Sequence, residues 1–154
     1  MTMRLVHLCD MTLDYEGAPA MVRPYSGQEG TVFGAGAGVA SGERLHGTVK
    51  WFNYAHRRSD GVMLPTMTGA VTTDDGATIL FTMQGRTNFT VTGEGARQTG
   101  NQLFSVFFET EDERFRWLNT VVCVMEGMLG SVGITPPRQM GPARVYICEN
   151  ELLG

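Results

Sequence analysis

The sequence predicts an all-β protein, a single antiparallel β-barrel of about eight strands with one short helix. The chain has 154 residues and 20 glycines, and Asp-Gly or Gly-Asn pairs divide it into short pieces, as tight hairpin turns do. Runs rich in Val, Thr, Phe, Ile and Met lie between these turns and have the length of strands. Apolar stripes with the 3.6-residue period of a helix are scarce. Many strands with few helices favour a closed barrel, with a sandwich as the alternative.

Several segments have the composition or the alternation of strands. In chain order they are residues 3–9, 30–39, 43–53, 62–73, 77–84, 102–109, 120–126 and 143–149. Segment 43–53 alternates clearly between apolar and polar residues, and segment 102–109 is the most apolar. Asp75-Gly76 is predicted to form a hairpin turn, and residues 19–30 a loop. The sequence contains no repeat and no domain boundary, so residues 1–154 are predicted to form one domain.

One short helix is predicted at about residues 111–118. Thr110 precedes it as a candidate N-cap, acidic residues occupy its first turn, and Phe115 and Leu118 could pack inward. The glycine-rich stretch at residues 32–42 lacks the spacing of a phosphate-binding loop, and no helix follows it. We therefore interpret that stretch as a closely packed strand.

Composition and charge argue against several classes of protein. The chain has 12 basic and 16 acidic residues, a net charge of −4 and no basic stripe, so no nucleic-acid partner is expected. No apolar stretch approaches the ~20 residues of a membrane-spanning helix, and the N-terminus does not resemble a signal peptide. The three cysteines are far apart and match neither a disulfide framework nor a zinc site. We expect a cytoplasmic protein with no metal, no cofactor and no membrane partner.

Short motifs follow one another in a recognisable order along most of the chain. They are Trp51, Asp60-Gly61, Thr73-Asp74-Asp75-Gly76-Ala77 with Ile79, Gly85-Arg86, Phe108-Glu109-Thr110, Trp117-Leu118-Asn119 and Val145-Tyr146. This order resembles a small bacterial family called domain of unknown function 3237. The resemblance implies a lipocalin-like or allene-oxide-cyclase-like barrel that often self-associates. The sequence departs from the family at Lys50, where the family tends to place an acidic residue, so no role of that acid carries over.

His46, Lys50 and Glu109 are the candidate catalytic residues. His46 and Lys50 share one face of segment 43–53. If that face lines the barrel, the cavity holds a histidine able to titrate near neutrality and an amine able to act as a base or nucleophile. Otherwise the face that carries Trp51 points inward, and His46 and Lys50 face water. Glu109 ends the most apolar strand, where a carboxyl could shuttle protons, or it could begin the helix cap.

Four residues are candidates for substrate binding. Trp51 is either part of the core or a flat apolar surface with one N–H donor. His56 and Arg57 belong to the polar segment 54–60, which is predicted to be a loop. That loop could receive an anionic or phenolic substrate at the barrel mouth, or it could simply be solvated. Arg86, which the resemblance makes more interesting than its neighbours, could hold a substrate anion or pair with an acidic side chain.

These residues predict a cofactor-free enzyme of small-molecule metabolism that acts on a largely apolar or aromatic substrate in a barrel cavity. Proton-transfer chemistry, by an isomerase, cyclase or lyase, needs only a shaped apolar cavity and one or two titratable groups. The alternatives are a non-catalytic lipocalin-like small-molecule-binding protein and a structural oligomer with a filled barrel. We also expect the protein to be a homo-oligomer.

Overall fold

The computed structural model describes residues 2–91, 97–132 and 138–153 of the chain. In this part the helices are two short 3₁₀ helices, Glu113–Thr120 and Glu151–Leu153, and no helix is long and apolar enough to cross a membrane. The strands, numbered in chain order, are β1 (Met3–Met11), β2 (Asp14–Tyr15), β3 (Ala20–Val22), β4 (Gly30–Ser41), β5 (Gly47–Arg57), β6 (Met63–Leu64), β7 (Thr66–Thr72), β8 (Thr78–Val91), β9 (Arg97–Glu109), β10 (Val122–Val132), β11 (Arg138–Gln139) and β12 (Ala143–Asn150).

Eight of these strands form a closed ring of antiparallel pairings, in the order β1, β12, β10, β9, β8, β7, β5, β4. β4 returns to β1 through the pairs Asp10 with Ser41 and Met11 with Ala40. The short strands lie beside the ring: β2 and β3 pair with β4, β6 pairs with β5 and β8, and β11 pairs with β10. The predicted all-β antiparallel fold of about eight strands is therefore confirmed, as a barrel-like ring.

The two faces of β5 alternate strictly between the inside and the outside of the ring. Trp51 and Asn53 are buried, whereas Lys50 and Phe52 are exposed. Of the two faces that the sequence left open, the one that carries Trp51 therefore points inward. The strand also continues four residues beyond the predicted end, to Arg57, because it pairs with β4 over its whole length. The first part of the predicted polar loop is thus strand.

Other boundaries differ from the prediction for local reasons. Pro65 separates β6 from β7 within the predicted strand 62–73, since proline has no N–H to donate to a neighbouring strand. The predicted loop 19–30 contains β3, which pairs with β4. β8 and β9 are longer than predicted because they pair with each other as far as Val91 and Gln98.

The turn between β7 and β8 is the predicted Asp-Gly hairpin. Gly76 has a φ of +90°, a conformation that glycine adopts without strain. The Thr73 hydroxyl donates a hydrogen bond to Asp75 Oδ1 at 2.5 Å and accepts one from Ala77 N at 3.0 Å. Asp75 also forms an ion pair with Arg114 of the 3₁₀ helix, so its carboxylate holds the turn and the helix together.

The predicted helix begins two residues later than expected, at Glu113. Its N-cap is Asp112, whose carboxylate accepts a hydrogen bond from Arg114 N at 3.0 Å. The prediction of Thr110 as the cap was wrong, because the helix begins only at Glu113. The Thr110 hydroxyl accepts a hydrogen bond from Asp112 N at 3.2 Å and donates one to the Thr78 carbonyl at 2.8 Å. This bond fixes the start of the segment against β8.

Apolar side chains fill one end of the ring. Val49, Val71 and Ile79 are paired across three neighbouring strands, two residues before the level of Trp51, and all are fully buried. Leu118 of the 3₁₀ helix is buried in the same core. This end of the ring is therefore closed by packing.

Candidate functional site

A cavity of about 280 Å³ lies inside the ring. Most of its wall is apolar, including Met21, Val32, Met63, Met67, Phe104 and Leu129. Its polar lining comprises Tyr15, Arg23, Asn53, Arg57, Thr87, Gln102 and Gln139. An apolar cavity that carries a few fixed polar groups is the usual form of a site for a small organic ligand.

Glycines in the neighbouring strands make room for the Trp51 ring at the cavity wall. Its cross-strand partners are Gly36 on β4 and Gly69 on β7. A Cβ at position 36 would stand 2.3 Å from the Trp51 ring, and one at Gly34 would stand 2.6 Å from the ring of Tyr15. Tyr15 meets Trp51 edge-on, with ring centroids 4.8 Å apart. The glycine-rich strand β4 is therefore what allows two aromatic rings to lie against it.

The indole nitrogen of Trp51 is buried without a partner. Trp51 is only 2% exposed, and no described residue accepts a hydrogen bond from its Nε1. A buried donor left unpaired costs roughly 1–3 kcal/mol. Trp51 lines the cavity, and a small shift of its ring that let a ligand oxygen accept this hydrogen bond would recover that free energy.

Tyr15 and Asn53 form a fixed polar pair inside the cavity. Asn53 Nδ2 donates a hydrogen bond to the Tyr15 hydroxyl oxygen at 3.1 Å, and Asn53 Oδ1 accepts one from Thr66 N at 3.3 Å. Burial raises the pKa of Tyr15 above its ordinary value of 10.0, an effect that the hydrogen bond from Asn53 partly offsets. Tyr15 is therefore protonated at neutral pH. Because its oxygen already accepts a bond, its own proton is available to a ligand.

Arg57 lies at the end of β5, on the inward side, where the cavity meets the mouth. Its Nε is buried and has no hydrogen-bond partner among the described residues. The neighbouring acids have other partners: Asp60 pairs with Arg58 at 2.7 Å, and Glu29 lies 3.1 Å from His56. No carboxylate in the described part of the chain pairs with Arg57, which leaves the positive charge of the site uncompensated.

The structure brings together two of the residues predicted from the sequence, Trp51 and Arg57, at the cavity wall. The three candidate catalytic residues are exposed and do not line the cavity: His46 precedes β5, Lys50 lies on its outer face, and Glu109 ends β9.

His56 and Arg86 are also exposed, on the outer side of their strands. His56 pairs with Glu29, and Arg86 Nη1 donates to the Gly85 carbonyl at 2.8 Å. Neither side chain lines the cavity, so the predicted binding residues divide between its wall and the outer surface.

Sequence reasoning missed Asn53, Tyr15, Thr87 and Gln102 as lining residues. Asn53 could have been found, because it lies two residues after Trp51 and so shares its face. Tyr15 carries no such signal, since β2 is only two residues long. Thr87 and Gln102 face each other across β8 and β9, in parts of these strands that lie beyond or at the edge of the predicted segments.

Acid, imidazole, amine and thiol groups are missing from the cavity wall as far as the structure describes it. None of the lining residues is Asp, Glu, His, Lys or Cys. Within residues 2–91, 97–132 and 138–153, no group of three His, Cys, Asp or Glu side chains could hold a metal ion. The wall therefore offers uncharged hydrogen-bonding groups, one tyrosine and two arginines, Arg23 and Arg57.

The fold matches solved structures over nearly the whole chain. A beta-barrel-like protein from Acinetobacter baumannii is 17% identical with a TM-score of 0.74, over 96% of this chain and 95% of that one. An enzyme from Penicillium herquei is 20% identical with a TM-score of 0.72, over 97% and 96%. A protein of unknown function from Clostridium acetobutylicum is 16% identical with a TM-score of 0.76, over 97% and 99%. At these identities the likeness concerns the fold alone.

Comparison with curated protein sequences gave no match. The sequence profile of the family described as protein of unknown function DUF3237 matches residues 3–135, which is most of the chain. The family resemblance inferred from the order of the motifs is thereby confirmed. The chain belongs to the DUF3237 family.

Proposed function

We propose that the protein is a cofactor-free enzyme that acts on a small, largely apolar or aromatic molecule held inside the ring. The observation that carries this proposal is an apolar cavity of about 280 Å³ that contains a fixed, protonated tyrosine beside an unpartnered indole N–H. A filled barrel would not leave such a space, so the cavity favours a ligand over a purely structural role. The solved structure from Penicillium herquei is described as an enzyme, which supports catalysis within this fold.

Tyr15 is the proposed proton donor of the reaction. A substrate oxygen that accepts hydrogen bonds from Tyr15 and Trp51 gains negative charge in the transition state, and both donors stabilise that charge. Tyr15 gives its proton to this oxygen and takes back the proton that another atom of the substrate releases. The proton count of the enzyme is then unchanged after one turnover. This scheme suits an isomerisation or a cyclisation.

The second candidate function is a carrier that binds the same kind of molecule and leaves it unchanged. The observation that favours it is the wall itself, which, where described, carries neither a carboxylate nor an imidazole to act as a base. For either function the proposed compartment is the cytoplasm, which suits three unpaired cysteines.

The experiment that separates the two functions begins with native mass spectrometry of the protein purified from its own source. A retained small molecule, released by denaturation, is then incubated with fresh protein and analysed by chromatography for a changed retention time or mass. The proposal expects conversion, lowered roughly a hundredfold or more in Tyr15→Phe with ligand affinity nearly unchanged. The loss of turnover with rising pH should lie above the ordinary titration range of a tyrosine, because burial raises the pKa of Tyr15.

Tyr54→Phe is the matched control for this experiment. Tyr54 lies on the outer face of β5 and is 66% exposed, so its hydroxyl cannot reach a ligand in the cavity. Turnover should be the same as in the unmodified protein. Recovery of the molecule unchanged after incubation would assign the protein to the carrier function instead.

A further inference from the structure

A second, more polar pocket of about 340 Å³ adjoins the cavity at the mouth of the ring. Its wall includes Gln28, Ser59, Asp60 and Asn88. Arg57 and Phe89 line both spaces. A molecule that extended from the inner cavity toward the outside would therefore pass from apolar contacts to polar ones at the position of Arg57.

At this boundary Arg57 carries a positive charge that forms no ion pair with a described acidic side chain. Asp60 belongs to the outer pocket, but its carboxylate accepts two hydrogen bonds from Arg58, at 3.2 and 2.7 Å. This pairing holds the pKa of Asp60 below its usual range, and the acid remains bound to Arg58. Arg57 has no carboxylate partner among the described residues, and its Nε is buried without a partner.

Burial of an unpaired guanidinium nitrogen is costly unless a ligand compensates it. Arginine presents N–H donors in a fixed fork that suits carboxylate, sulfonate or phenolate oxygens. Trp51, further inside, has an apolar ring and a second unpaired N–H. The two residues lie on the same inward face of β5, six positions apart, or about 20 Å along an extended strand.

We infer that the ligand of this cavity is an amphipathic anion, with its apolar body among the apolar side chains that line the inner cavity and its anionic group at Arg57. The inference rests on the proposed function and names the substrate class of the same site. The outer pocket then receives any polar group that lies beyond the anion. A neutral molecule of the same shape fills the inner cavity but leaves Arg57 unpaired.

Two fluorescent probes of nearly the same shape test this inference. 8-Anilinonaphthalene-1-sulfonate carries an anionic group, and N-phenyl-1-naphthylamine is the same framework without it. Titration of each probe into the protein gives its dissociation constant from the fluorescence increase. The expected result is that Arg57→Gln weakens binding of the sulfonate probe roughly ten- to a hundredfold and leaves binding of the neutral probe unchanged.

Two further variants make the comparison specific. Arg86→Gln removes an exposed arginine from the outer surface and should change neither dissociation constant. Arg57→Lys keeps the charge and should retain most of the preference for the sulfonate probe. Binding of the neutral probe also reports that each variant is folded, because it requires an intact cavity.

Met63→Trp locates the bound probes, since it fills part of the inner cavity and should weaken both of them. One outcome would contradict the inference about the anion: Arg57→Gln binds the sulfonate probe as tightly as the unmodified protein does, while Met63→Trp weakens binding of the neutral probe. The cavity would then still bind small molecules, and the proposed function would stand. If neither probe responds to Met63→Trp, the cavity does not bind small molecules, and the proposed function is wrong together with the inference.

Discussion

The three cysteine thiols of this protein differ in solvent exposure. Cys9 and Cys123 are fully buried on the inner side of β1 and β10, and Cys148 on β12 is half-buried. Burial raises the pKa of the Cys9 thiol to about 12 and that of Cys123 to about 11. Because the thiolate is the reactive form, both groups are inert in the folded protein.

Ellman's reagent should therefore label one thiol quickly in the native protein at pH 8, namely Cys148. Cys9 and Cys123 should react only as the protein unfolds, because their pKa values lie well above this pH. Cys148→Ser should remove the fast phase and leave the slow phase as it is. Peptide mapping that found Cys9 modified in the fast phase would show that β1 opens more readily than its burial indicates.

The packing around β4 explains why glycines recur at residues 32–42. At Gly36 a Cβ would stand 2.3 Å from the Trp51 ring and 2.2 Å from the Asp14 carbonyl oxygen. Neither neighbour can move freely, since one is a buried ring and the other is backbone of β2. Glycine is thus required at position 36 by the Trp51 ring and the Asp14 backbone that lie across the strand, as expected for a closely packed segment.

Gly36→Ala should lower the free energy of unfolding by about 1–3 kcal/mol, the usual cost of overpacking, and should also displace Trp51 from the cavity wall. Urea denaturation measures the first effect, and binding of N-phenyl-1-naphthylamine measures the second. Gly27→Ala is the control, because a Cβ there meets nothing within 4 Å, and its effect should stay below about 0.5 kcal/mol. Equal midpoints for the two variants would contradict this account of β4.

The sequence predicted strands better than it predicted which residues meet. Strict alternation made β5 recognisable in the sequence. Of its two faces, the one that carries Trp51 points inward. His46 and Lys50 were candidates because of their chemistry, which says nothing about the face they occupy. Tyr15 reaches Trp51 only because β2 pairs with β4, a contact between segments that no local pattern encodes. The site could therefore be predicted in part, through Trp51 and Arg57.

One row of side chains on the outer surface of the ring carries no charge and includes two exposed aromatic rings. Phe52 on β5 and Phe107 on β9 lie in one row across neighbouring strands, with Thr68 and Thr82 between them. The two phenylalanines are 55% and 49% exposed. Exposed apolar patches of this kind mark surfaces that associate. A second copy of the chain would present the same uncharged row, so their contact would desolvate no charge within it.

The expectation of a homo-oligomer remains a prediction, and this outer row is the surface we propose for it. Light scattering coupled to size-exclusion chromatography should give a mass that is a multiple of 16.9 kDa. Phe52→Glu places a charge that the contact would have to bury, which is costly, and should shift the mass toward that of the monomer. Tyr25→Glu, at a loop residue that is 94% exposed, should leave the mass unchanged. A monomeric mass at all concentrations would rule out self-association, whereas an oligomer insensitive to Phe52→Glu would place the contact on another face.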